Sequence, residues 1–127
     1  GERRTAIIGI CYGIAGFIIT AFLTNGAIAL ILNVLNGFSG MAMPAINAMM
    51  SQRTPPDQQG ELQGLNGSMS ALAFLMAQLV YNNALATFTS DKAPIYFPGA
   101  PFIIAASLSV FALTALVILP RRDAQPA

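Results

Sequence analysis

Long uncharged runs dominate the chain, and polar clusters divide them into four segments. Thr5 to Thr24 holds about 20 residues without a charge, enough for a helix to cross a hydrocarbon core of about 30 Å. Thr24-Asn25-Gly26 reads as a tight turn, because Asn and Gly tolerate the φ > 0 conformations that turns demand. Gly26 to Met50, about 25 residues, is long enough to cross with some tilt. So brief a connection makes the first two spans antiparallel neighbours. Ser51 to Glu61 reads SQRTPPDQQGE and marks an exit into water. Within it Thr54 is placed as an N-cap, Pro55 at the first helical position and Asp57 near the positive end of the next helix. The third span runs from Leu65 to Phe88. Thr89-Ser90-Asp91-Lys92 and the stretch APIYFPGAP follow; its three prolines forbid a regular helix. Tyr96 and Phe97 there suit the aromatic belt of a membrane interface. Pro101 opens the fourth span, Phe102 to Leu119, and the polar tail 120–127 closes the chain.

Core helices of soluble proteins seldom run beyond about 14 apolar residues without a polar face. The pattern therefore predicts an all-α membrane protein of four transmembrane helices, with the lipid bilayer as its first partner. Composition agrees. Hydrophobic residues make up 55% and charged residues only 9% of the 127, with a mean hydropathy of +0.64. Soluble domains carry about 25% charged residues. A net charge of +1 gives no electrostatic footprint for nucleic acid.

The basic residues set the orientation. Arg3, Arg4, Arg53, Arg121 and Arg122 fall on one side and Lys92 alone on the other. Cytoplasmic loops carry the excess of Lys and Arg, so both termini are expected in the cytoplasm.

Helices in lipid associate through close packing and interhelical hydrogen bonds. Gly9, Gly13 and Gly16 line one face of the first span, either as tight packing or as a sliding surface. In the second span Asn33, Gly37, Gly40, Pro44 and Asn47 recur at spacings of four, three, four and three, on one helical face with Asn36 beside it. Asparagine in hydrocarbon needs a partner or water, so this face points at other helices or a wet cavity. Ile31, Leu32 and Leu35 are then nearer to lipid. Pro44 is expected to kink or loosen the helix. In the third span Gln78, Tyr81 and Asn82 form a polar face at helical spacing, either able to bond an uncharged part of a substrate or snorkelling to the interface.

No Asp, Glu, Lys, Arg or His lies inside any of the four spans, so any proton or ion path belongs elsewhere in the molecule. Cys11 is the only cysteine and has no partner for a disulfide or a metal; histidine is absent. No nucleophile–base pair or phosphate loop appears. The expectation is no enzyme, no cofactor and no metal.

GERR at Gly1 to Arg4, GMAMPAINAMMSQ at Gly40 to Gln52 and QGELQG at Gln59 to Gly64 resemble the C-terminal part of tetracycline-efflux-type transporters of the major facilitator superfamily. The resemblance runs in order from Gly1 to roughly Leu119. It implies a twelve-helix fold in two halves, with these as spans nine to twelve and eight further spans as partners. It also implies alternating access in a bacterial inner membrane, with export of a small-molecule substrate against entering protons. Gly1, Arg3 and Arg4 would belong to a cytoplasmic gate motif, and Gly60, Gln63 and Gly64 to a cytoplasmic loop motif. Two positions depart from the family's pattern. Gly13 stands where tetracycline exporters carry an acidic residue, and Ala77-Gln78 stands where a Gly-Pro pair is frequent. The resemblance thus extends to drug or small-molecule efflux rather than to tetracycline itself.

The start at Gly1 reads as a fragment or a trimmed chain. The competing class is a self-standing four-span membrane protein, either a small dimeric transporter or a non-transporting subunit.

Overall fold

The structure is a computed structural model that describes residues 1–119, apart from the side chain of Leu35. The tail 120–127, with Arg121 and Arg122, lies outside the described residues. The elements are α1 (Glu2–Phe22), α2 (Gly26–Asn36), a 3₁₀ segment (Gly37–Met41), α3 (Ala42–Gln52), a 3₁₀ turn (Pro56–Gln58), α4 (Gln59–Thr89) and α5 (Ala100–Ile118). They form four helical units long and apolar enough to cross a membrane: Glu2–Phe22, Gly26–Gln52, Pro56–Thr89 and Ala100–Ile118.

Local chemistry moves several boundaries. Helix α1 begins at Glu2 rather than Thr5, because the Gly1 carbonyl accepts from the N–H groups of Arg4 and Thr5 at 2.9 and 3.1 Å. The acidic Glu2 also suits the positive helix end. The helix closes at Phe22, two residues short of Thr24, where Leu23 turns extended with ψ 125°. Among the described residues none adopts a positive φ, so the Asn25-Gly26 connection is not a left-handed turn. Asn25 instead caps α2, its Oδ1 accepting from the Ala27 N–H at 3.0 Å and its carbonyl from Ala29 at 3.1 Å.

Thr54 does not cap the third span. Its hydroxyl donates back to the Met50 carbonyl at 2.9 Å, inside the preceding turn. Pro55 is held at ψ 151° because a residue before proline is pushed out of the helical region, so Pro56 takes the early helical position instead. Gln59 ties the corner together. Its amide donates to the carbonyls of Ser51 and Thr54, both at 2.8 Å, and its Oε1 accepts from the Ser51 hydroxyl at 2.9 Å. With the corner anchored there, α4 starts at Gln59, six residues before Leu65. Gly60, Gln63 and Gly64 therefore stand in the first turns of a helix and not in a loop. At 1.5 Å per residue the 31 residues of α4 extend about 46 Å, longer than a hydrocarbon core of about 30 Å.

Pro44 acts one turn upstream of itself. It lacks an N–H for the Gly40 carbonyl and its ring crowds that oxygen. The chain answers with the tighter 3₁₀ winding over Gly37–Met41. Pro101 lies in the first turn of α5 behind the N-cap Gly99, where proline costs no hydrogen bond.

Helix α1 is the hub, packed against α5 on one side and against the second unit, from α2 through α3, on the other. Helix α4 lies outside α5. Among the described residues the buried apolar side chains are Ala6, Ala21, Ala42, Ala45, Ala84, Ala100, Ala106 and Pro101, while Val34 and Phe111 stay 79% and 76% exposed. In water this order of burial would be inverted. In hydrocarbon it is the stable one, because large side chains lose nothing by facing lipid and small ones let backbones approach.

Candidate functional site

The three glycines of α1 all meet the second unit. A Cβ at Gly9 would stand 3.0 Å from both the Cβ and the backbone nitrogen of Ala42, and one at Gly13 would stand 3.5 Å from the Ser39 Cβ. At Gly16 it would overlap the Asn36 amide. The partners Asn36, Ser39 and Ala42 follow at intervals of three, the spacing at which residues eclipse on a 3₁₀ helix. The three pairs stand nearly symmetrically about Gly26, which is the register of an antiparallel hairpin. The glycine stripe is thus a helix–helix seam.

This winding separates Asn36 from the predicted stripe beside which the sequence places it. Asn36 is drawn into the seam with α1, and its carbonyl accepts from the Ser39 hydroxyl at 2.6 Å. Asn33, Gly37, Gly40 and Pro44 remain exposed, and among the described residues no neighbouring helix comes within 4 Å of where a Cβ on Gly37 or Gly40 would stand. Asn33 satisfies its own amide by donating to the Ala29 carbonyl at 3.0 Å. Asn47 is half-buried and accepts from the Asn66 amide at 2.7 Å, joining α3 to α4. Gln78, Tyr81 and Asn82 are exposed on α4, with the Tyr81 ring edge-on to Phe102 at 6.3 Å. The structure does not bring these three into contact with the stripe of the second span.

At the end of the bundle where the chain starts, Arg3 reaches across to α5. Its Nη2 donates to the carbonyls of Leu116, Val117 and Leu119 at 2.9, 2.9 and 3.0 Å. A guanidinium there satisfies orphan carbonyls and opposes the negative end of the helix dipole. Glu2 accepts from the Gln52 amide at 2.7 Å, while Gly1 and Arg4 are exposed. At the opposite end Phe97 packs on Phe22 with ring centroids 5.7 Å apart, and Gly99 lies under the Ala21 carbonyl.

Residues 1–127 match the family profile described as the Major Facilitator Superfamily. The chain belongs to that superfamily.

Three tetracycline resistance proteins are similar to this facilitator chain. Class C from Escherichia coli is 30% identical over 116 residues, covering 91% of this chain and 28% of the relative. Class G from Vibrio anguillarum is 35% identical over 79 residues, covering 62% and 20%. Class B from Escherichia coli is 30% identical over 89 residues, covering 67% and 22%. The chain thus spans less than a third of the length of these curated relatives. No solved structure matches. The superfamily is one of membrane transporters, not of enzymes.

Sequence reasoning about the facilitator helices missed two features. The pairing of Asn47 with Asn66 carries no periodic signal, because the partners sit on separate helices. The seat of Arg3 on the end of α5 is equally silent, since carbonyls are the same at every position.

Proposed function

We propose that this chain forms spans nine to twelve of a twelve-span exporter of a drug or other small molecule, in a bacterial inner membrane with both ends cytoplasmic. The observation that carries this reading is the alignment of 91% of the chain with 28% of a tetracycline resistance protein, about the share that four of twelve spans would occupy. The clustering of Arg3, Arg4 and Arg53 at the end away from Lys92 supports the orientation.

Alternating access rocks two halves around a central site. The exposed face bearing Asn33, Gly37 and Gly40 would line that path, with Asn47, half-buried against Asn66, at its edge, and Gln78, Tyr81 and Asn82 would offer hydrogen bonds to uncharged parts of the cargo. Asn36 would hold the lining helix at a fixed depth against Gly16. Arg3, anchored on α5, would make α1 and α5 move as one body, leaving Arg4 as the charge of the gate motif that can engage the rest of the transporter. Gly60, Gln63 and Gly64 would form the cytoplasmic knuckle of α4. Entering protons would drive export, and their carriers would lie in the other eight spans, since the uncharged runs 5–24, 26–50, 65–88 and 102–119 hold no Asp, Glu, Lys, Arg or His, and Glu2, Asp57 and Glu61 stand at helix ends.

The test compares membrane vesicles containing the complete upstream reading frame with vesicles containing residues 1–127 alone. Only the complete protein is expected to move a fluorescent drug, and a protonophore is expected to stop it. Transport by the 127-residue chain alone overturns the reading, and so does a frame that lacks about eight spans before Gly1.

A further inference from the structure

A cleft of about 140 Å³ opens between the ends of α1, α3 and α5. Ile46, Met49, Met50, Leu116 and Leu119 line it together with Arg3 and Arg53. We infer that this cleft binds the phosphate end of an anionic phospholipid from the leaflet on that side.

The argument rests on two properties of one small space. The first is free cationic hydrogen-bonding capacity. Among the described residues Arg3 bonds through Nη2 alone, to the carbonyls of Leu116, Val117 and the C-cap Leu119, and the N–H groups of Nη1 and Nε are left for an anion. The contact with α5 also offsets the negative helix end that would otherwise repel a phosphate there. Arg53 follows the last residue of α3 and is exposed, adding a second arginine to the lining of the cleft. Guanidinium groups match phosphate oxygens in bidentate geometry. Glu2, whose carboxylate could compete, accepts from Gln52 and is not among the residues lining the cleft.

The second property is the wall. The other five lining side chains are all apolar, and Leu119 is 52% exposed. A free phosphate gains nothing from Met and Leu. A phosphate joined through glycerol to hydrocarbon satisfies both the rim and the wall, and the methionines adapt to an irregular chain. The cleft is too small for a whole lipid, so the acyl chains must continue over the lipid-facing surface. Basic clefts between membrane helices take anionic headgroups in this way.

The complete transporter carrying this chain, purified in detergent, is titrated with phosphatidylglycerol or phosphatidylcholine, and bound lipid is counted by native mass spectrometry. Phosphatidylglycerol is expected to bind in preference, and an excess of inorganic phosphate is expected not to displace it. Arg53→Gln is expected to weaken phosphatidylglycerol about fivefold while leaving phosphatidylcholine unchanged, since one Arg near an anionic membrane surface contributes about that factor. Ile46→Phe, which fills the wall without changing charge, is expected to weaken it as well, and decides the matter should the arginine variant fail to fold. Equal binding of both lipids, an unchanged titration in both variants, or displacement by inorganic phosphate overturns the proposal. None of these readouts depends on transport.

Discussion

Single glycines set how closely these helices approach, and the cost of adding one methyl differs with what it meets. At Gly16 the obstacle is the amide end of Asn36, a side chain that can rotate away. At Gly9 the obstacle includes the backbone nitrogen of Ala42, and at Gly99 it is the backbone carbonyl of Ala21, neither of which can yield without a helix moving. Gly9→Ala and Gly99→Ala are therefore expected to destabilise by about 1–3 kcal/mol, the range for overpacking. Gly16→Ala is expected to cost less and to be relieved by Asn36→Ala. Thermal melting of the complete protein in detergent measures this order, and a Gly16→Ala cost equal to that of Gly9→Ala would refute it. Isolated polar residues behave in the same local fashion: Asn33 and Asn83 bond back to their own helices, whereas Asn47 finds a partner across a gap.

At the scale of elements, Pro44 governs the seam although Asn36, Ser39 and Ala42, not Pro44, are what the α1 glycines meet. By forcing 3₁₀ winding over Gly37–Met41 it aligns Asn36, Ser39 and Ala42 toward α1. The 3.5 Å between Cβ positions at 13 and 39 lies within the range that a disulfide spans. The pair Gly13→Cys with Ser39→Cys, in a Cys11→Ser background, is expected to cross-link readily under mild oxidation. Adding Pro44→Ala lets the segment relax toward α-helix, where residues three apart no longer eclipse, and the yield is expected to fall by at least about half. An undiminished yield would mean that something other than the proline sets the register. The corner between α3 and α4 shows the same principle, since Gln59 bonding to Ser51 and Thr54 decides where the long helix starts.

For the whole molecule the solvent decides. The described helices bury alanine and glycine and leave Leu, Ile, Phe and Met outside, so no aqueous core exists to hold them. The chain is expected to elute as aggregate in plain buffer and as a defined species only with detergent or lipid, which size-exclusion chromatography with light scattering reads directly. A monodisperse monomer in plain buffer would remove the membrane reading. Helix α4 strengthens the expectation that more protein surrounds this chain: Ala84 is its single buried residue among those described, yet it carries Gln78, Tyr81 and Asn82. Polar groups at that depth need a neighbouring span or water.

Four helices long and apolar enough to cross a membrane, the antiparallel pairing of the first two and the polar breaks between them were legible in the sequence, because hydrocarbon thickness imposes a length that a run of uncharged residues either meets or fails. The family resemblance was legible for a related reason: GERR, PAINAMMS and GELQG are local strings, and local strings need no fold to be seen. Tertiary structure decided the rest. Whether Asn36 belongs to the polar stripe or to the glycine seam depends on a local change from 3.6 to 3.0 residues per turn, which moves a residue around the helix by more than half a side chain's width with each turn. Where Arg3 docks, and which asparagine meets Asn66, depend on how separate helices stand against one another. Distances across a bundle are fixed by packing, and the order of residues along one chain does not contain them.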